Sequence, residues 1–240
     1  MSTVARLRAG GASAALRRLD WQHPEWWAVA LAAVCWGGMV THALQHGAHA
    51  HHHLMTTPAE LLHWLLMVIA MMVPLMLDPV RMVAFRSYRH RRHIAIATFL
   101  VGYLAVWWAA GLPVAWLRSL AWSHTHHTAA VAFALSALWL LSPLHDRALK
   151  SCHGQRPIAP SGWPAIRDAC VHGMRLGGAC VVSCWPLMVA CTLTGHSLIA
   201  MLGGAAVSVL ERLSFRPPTR MLMLLTLGLS GWHVALVLST

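Results

Sequence analysis

Residues 60–78 read ELLHWLLMVIAMMVPLMLD, with no charge between Glu60 and Asp78. A helix needs about 20 apolar residues to cross the hydrocarbon core of a bilayer, and this run has that length and character. Its polar and soft residues are also ordered. His63, Met67, Met71, Pro74 and Asp78 recur every three or four positions, the spacing that keeps side chains on one helical face.

Six more runs of this kind flank it, giving seven spans at roughly 26–44, 60–78, 94–117, 128–144, 174–194, 197–211 and 221–238. The fifth and sixth are joined only by Thr194-Gly195-His196. The sixth is short, and a re-entrant sixth segment would leave six spans. The expectation is an all-α, polytopic transmembrane bundle over residues 26–240, preceded by a basic amphipathic cytoplasmic segment over 1–25.

Composition agrees. Hydrophobic residues make up 58% of the chain, charged residues 10%, and mean hydropathy is +0.56, whereas a soluble domain carries about 25% charged residues. The net charge of +11 would suit nucleic acid if the arginines formed a patch. They lie instead in short loops between apolar runs, which is the membrane pattern, so no nucleic-acid partner is expected.

The loops also set an orientation. With the N-terminus in the cytoplasm, Arg6, Arg8, Arg17, Arg18, Arg81, Arg86, Arg89, Arg91 and Arg92 fall inside. So do Arg147, Lys150, Arg156, Arg167, Arg175, Arg212, Arg216 and Arg220, and only Arg118 falls outside. That is a positive-inside distribution for seven spans with an outside C-terminus. Trp21, Trp26, Trp27, Trp107, Trp108, Trp116 and Trp122 fit interfacial positions. Arg6 to Arg18, among Ala and Leu, suit a helix lying on anionic lipid.

Histidine sorts to the opposite face. His42, His46, His49, His51, His52 and His53 lie outside, as do His124, His126, His127 and His196, with His63 near that face. A tract of imidazoles in a loop reads as metal binding, with copper first and zinc as the alternative there. Soft donors continue inward. The first span carries Cys35, Met39, His42 and His46 on one face. The second adds Met72 and Met76 about 140° round from Met67 and Met71. In the fifth, Cys180, Cys184 and Cys191 share a face with Met188 beside them. Thiolate and thioether favour cuprous copper, and repeated weak sites suit an ion that must bind and also leave. Methionine stripes equally serve packing, and Asp78 equally serves as a helix-end residue near Arg81. Six irregularly spaced cysteines do not form a disulfide scaffold. No phosphate loop, nucleophile elbow or zinc-protease helix occurs.

Met71-Met72-Val73-Pro74-Leu75-Met76 matches Ser183-Cys184-Trp185-Pro186-Leu187-Met188. Each proline frees a backbone carbonyl near mid-membrane, so spans two to four and five to seven read as inverted repeats.

Met67…Met71-Met72-Val73-Pro74, Ser142-Pro143-Leu144, Cys180…Cys184-Trp185-Pro186-Leu187-Met188 and Leu210-Glu211-Arg212 resemble the bacterial predicted metal-binding integral membrane proteins, domain of unknown function 2182. The resemblance covers roughly residues 60–235 and implies metal handling. Leu66 and Ser183 replace a methionine and a cysteine of that pattern, and Ala148 replaces its first loop cysteine, leaving Cys152 alone. Together these features lead to the expectation of a membrane protein that captures and relays or transports copper. The histidines serve as capture ligands, with Met67, Met71, Cys180 and Cys184 inside the bundle. The rival reading is an accessory subunit of a membrane oxidoreductase, with the apolar surface covered by a membrane-protein partner or a second copy.

Overall fold

The computed structural model describes residues 22–46, 57–119, 126–154, 157–213 and 219–238. Among these residues the chain is all helical. Its elements are α1 (Trp26–His46), α2 (Thr57–Met72), α3 (Leu77–Arg86), α4 (Arg92–Ser119), α5 (His126–Trp139), α6 (Pro143–Cys152), α7 (Gly162–Leu193), α8 (Leu198–Leu213) and α9 (Thr219–Leu238).

Every apolar run of the sequence is helical, but the runs at 60–78 and 128–144 are each broken into two helices. Among the described residues three helices are long and apolar enough to cross a membrane, or up to five if each bent pair counts as one span. The bent pairs are α2 with α3, at 45°, and α5 with α6, at 75°. The first breaks at a single turn of 3-10 helix over Pro74–Met76. The second breaks before Ser142, whose hydroxyl accepts from the Leu144 backbone N–H at 3.2 Å and caps α6, with Pro143 in the first turn. At 16 residues, α8 is roughly 24 Å long, shorter than a bilayer core of about 30 Å.

The ends of the elements meet in two sets. Glu25, just before α1, is buried and takes Arg81 of α3 at 3.3 Å, and Tyr88 N–H donates to the Pro160 carbonyl at 3.5 Å. At the other end, His42, His63 and His196 come together. These contacts are the ones expected if successive segments alternate in direction.

The most extensive helix interface joins α4 to α7. Small residues make it: a Cβ on Gly173 would overlap the Phe99 carbonyl, one on Gly102 would overlap the Cys170 carbonyl, and one on Gly177 would sit 3.0 Å from the Tyr103 carbonyl oxygen. Gly173-Met-Arg-Leu-Gly177 is a small-xxx-small pattern that lets backbones approach. Behind this seam Phe99, Tyr103 and Trp107 are fully buried. Burial of Trp107 departs from the interfacial position expected of it. Its ring packs 5.9 Å from that of Trp64, whose indole donates to the Trp107 carbonyl at 2.9 Å.

The two matched prolines share a device. Proline at position i frees the carbonyl of i−4, here Ala70 and Val182. Trp36 Nε1 of α1 donates to the Ala70 carbonyl at 2.9 Å, and Trp139 Nε1 of α5 donates to the Val182 carbonyl at 3.0 Å. The outcomes differ, because Pro74 breaks its helix while Pro186 lies inside the continuous 32-residue α7. The bond at Val182 can be tested by a cycle. Trp139→Phe keeps the ring against Trp185 and should cost about 1 kcal/mol. In a Pro186→Ala background an amide N–H returns to Val182, and the same change should cost much less. Reversible unfolding in mixed micelles measures the coupling. Additivity within about 0.3 kcal/mol would show that the indole does not serve this carbonyl.

Candidate metal centre

Three groups of side chains run through the bundle, beginning with the imidazoles at one end. The ring centroids of His42 and His63 lie 5.1 Å apart, edge to face, and those of His63 and His196 lie 5.9 Å apart. His63 Nδ1 is 2.9 Å from the Ala59 carbonyl. A carbonyl only accepts, so Nδ1 carries a proton, and in the neutral ring that leaves the Nε2 lone pair for a metal. His196 arrives from the turn between α7 and α8, where Gly195 and His196 take φ of 66° and 62°. The His196 N–H closes the turn on the Cys191 carbonyl at 3.2 Å. Left-handed backbone is uncommon outside glycine, so the turn holds His196 in a conformation that few residues tolerate.

The middle group is sulfur without imidazole. Met67 and Met71 are buried, and so are Met188 and Cys191. Gly204 of α8 brings two of them together, since a Cβ there would sit 3.0 Å from Cys191 Sγ and 3.1 Å from Met71 Cε. Cys191 Sγ also donates to the Ala200 carbonyl at 3.5 Å.

The inner group is the densest. Cys180 Sγ lies 3.8 Å from Met72 Sδ and accepts from Tyr103 Oη at 3.2 Å. Cys184, one turn on, interacts with Cys180 and has the Ser183 hydroxyl at 3.4 Å. Cys180, Cys184 and Met72 thus supply two thiols and a thioether from α7 and the last turn of α2. Cys152, the last residue of α6, is buried beside this set and interacts with Ser183 and Cys180. Left without its loop partner in sequence, it has α7 for a neighbour in space. Arg212 of α8 interacts with Cys180, Cys152, Cys184 and Tyr103. Beside it Glu211 and His145, both buried, stand 2.8 Å apart, Oε1 to Nε2. A cavity of about 10 Å³, room for about one water, is lined by Ser136, Ser183, Cys184, Glu211 and Thr226 among others.

The remaining expected residues divide. Cys35 and Met39 are buried on α1, and Met76 is buried in the turn after Pro74. Asp78 is exposed in the first turn of α3, where a carboxylate complements the helix N-terminus. His127 is exposed at the start of α5. His49, His51, His52, His53 and His124 lie outside the described residues, as do the side chains of His46 and His126. Among the described residues no group of three or more His, Cys, Asp and Glu is arranged to hold a metal. The Cys180–Cys184–Met72 set has only two such residues and a thioether, a donor set for a soft ion of low coordination number. All six cysteines are free. Sequence reasoning missed Tyr103, His145, Glu211 and Arg212 as neighbours of the thiols. Only Glu211-Arg212 carried a signal, as part of the resemblance.

A family model described as copper chaperone, PpoB2, matches residues 61–236. The chain therefore belongs to this copper-chaperone family. No curated protein and no solved structure matches it. The matched stretch contains the middle and inner sulfur groups and His63 and His196. It leaves out α1 and the histidine tract.

Proposed function

We propose that the protein is a bacterial inner-membrane copper chaperone that takes up the ion at its periplasmic histidines and relays it through the bundle. The observation that carries this reading is the Cys180–Met72 contact at 3.8 Å with Cys184 beside it. Buried thiols with a thioether, in a copper-chaperone family, are a cargo site for Cu(I). The histidines of 46–53, with His42 and His63, capture copper, with zinc as the competing ion there. Met67, Met71 and Cys191 lie between the two ends and give the ion intermediate sulfur contacts. The resemblance to the predicted metal-binding membrane proteins is read as the same kinship, since its motifs fall almost entirely inside the matched stretch. The N-terminus is read as cytoplasmic from the distribution of arginine. Impermeant thiol reagent added to spheroplasts should leave Ser161→Cys unlabelled in a background lacking Cys170, the one native thiol that is not buried.

The test of the relay is copper content after purification in detergent. Met71→Leu conserves volume and apolarity and should cost less than about 1.5 kcal/mol in stability, while its thioether is lost. Normal expression with reduced copper is expected. Replacing His46, His49, His51, His52 and His53 by Ala should remove the fraction of metal that wild type itself releases below about pH 6. Wild-type copper content in both variants would reject the relay and leave the accessory-subunit reading in its place.

A further inference from the structure

The inner sulfur set is faced by one cation from α8. Arg212 lies in the last turn of that helix and interacts with Cys180, Cys152, Cys184 and Tyr103. Its guanidinium hydrogen-bonds the Cys180 side chain, while its Nη2 is buried with no acceptor. An unsatisfied guanidinium N–H is costly in a dry interior, and neutral thiols satisfy it poorly. Thiolates would be strong, charge-assisted acceptors. The neighbouring carboxylate does not serve Arg212, because Glu211 faces His145 at 2.8 Å. Asp146 is mostly exposed and 3.9 Å from the other nitrogen of His145.

We propose that Arg212 balances the charge of the Cys180–Cys184 thiolate pair and thereby makes the site selective for a monovalent soft cation over divalent ions. This rests on the reading of Cys180, Cys184 and Met72 as the cargo site. When the ion enters, both thiol protons leave to water. Two thiolates then face one guanidinium and one metal ion, and Met72 adds no charge. The neighbouring Glu211–His145 pair, 2.8 Å apart, adds no charge while it holds one proton between its two atoms. With Cu(I) or Ag(I) the sum is then zero. With Zn(II) or Cd(II) a positive charge is left uncompensated at low dielectric, where an unpaired charge is strongly disfavoured. Arg212 touches no ion in this arrangement. It is a specificity-determining residue that acts through the sulfurs.

The experiment uses the full chain in detergent at about pH 5.5, where imidazole sites are largely protonated. Silver nitrate and cadmium chloride are each titrated against a competing chromophoric chelator. In Arg212→Gln, silver affinity should fall about tenfold or more while cadmium affinity holds or rises, so the silver-to-cadmium ratio falls at least tenfold. Arg212→Lys keeps the charge and should keep most of the ratio. Cys152→Ser should leave it unchanged, because the balance counts two thiolates. Equal loss of both ions in Arg212→Gln would mean a merely structural arginine and would overturn the inference. A collapsed ratio in Cys152→Ser would overturn the two-thiolate count. If Cys180→Ser/Cys184→Ser binds silver as wild type does, the cargo-site reading itself fails, which the arginine variants alone would not reveal.

Discussion

Cys180→Ser/Cys184→Ser is expected to lose silver and cuprous binding in the bundle by at least about 100-fold while still folding. The fold should survive because serine is nearly isosteric with cysteine and keeps an acceptor for Tyr103 Oη, which donates to Cys180 Sγ at 3.2 Å. Ser183 already places a hydroxyl in the same cluster, 3.4 Å from Cys184 Sγ, so one more is chemically tolerable there. Binding should collapse because a hydroxyl is a hard donor, and Met72 would be left without either thiolate of the pair. Loss of an outer-shell partner alone costs about 10- to 100-fold in metal affinity, so loss of both anionic ligands must exceed that. The measurement is chelator competition at about pH 5.5, where imidazole contributes little. A folded variant that binds within about threefold of wild type would mean that Cys180 and Cys184 only pack.

The elements were legible in sequence because lipid imposes a blunt rule. Each apolar run long enough to hide its backbone polar groups must be helical, and every run from 26–44 to 221–238 is, with 60–78 and 128–144 each broken into two helices. The joint at Thr194-Gly195-His196 was legible too, because the short gap between two helices forces a tight turn. Helix rotation was not legible. Met71 and Met72 differ by one position, about 100° around the axis, and both orientations bury methionine equally well. It is Met72 that meets Cys180, while Met71 turns toward Cys191 across Gly204. The choice depends on how α2 seats against its neighbours and on the bend at Pro74, which no single segment encodes. The same holds for His196, in the turn before α8, and Arg212, in its last turn, which join their groups from segments remote in sequence. Tryptophan was read by a statistical habit of membrane interfaces. That habit gave no role to Trp36, Trp64 and Trp139, which spend their indole N–H groups on carbonyls of neighbouring helices. A proline in an apolar run was a usable signal that such a donor is needed, since a freed carbonyl in lipid has no water to meet it.

Packing and the sulfur site share one seam, and Gly173→Ala should damage both. The methyl group would overlap the Phe99 carbonyl and approach the Tyr103 backbone nitrogen to 3.1 Å. Neither contact is with a flexible side-chain end, so α4 must move away from α7 as a body. Overpacking of this kind costs about 3 kcal/mol, or more where backbone must shift. Tyr103 moves with its helix, and the Tyr103–Cys180 hydrogen bond lies on the same pair of helices. Silver affinity should therefore fall along with stability, although Gly173 is nearly two turns from Cys180 and cannot touch the ion. Gly178 supplies the control, because it is on the same helix and nothing lies within 4 Å of a Cβ built there. Gly178→Ala should be neutral or stabilising by up to about 1 kcal/mol, the helix-propensity gain. Thermal unfolding of detergent-solubilised protein, followed by tryptophan fluorescence, gives the stability arm, and alkylation of Cys180 reports opening of the seam. If Gly173→Ala unfolds within about 0.5 kcal/mol of Gly178→Ala and leaves Cys180 protected, the α4–α7 seam is not what holds the site together.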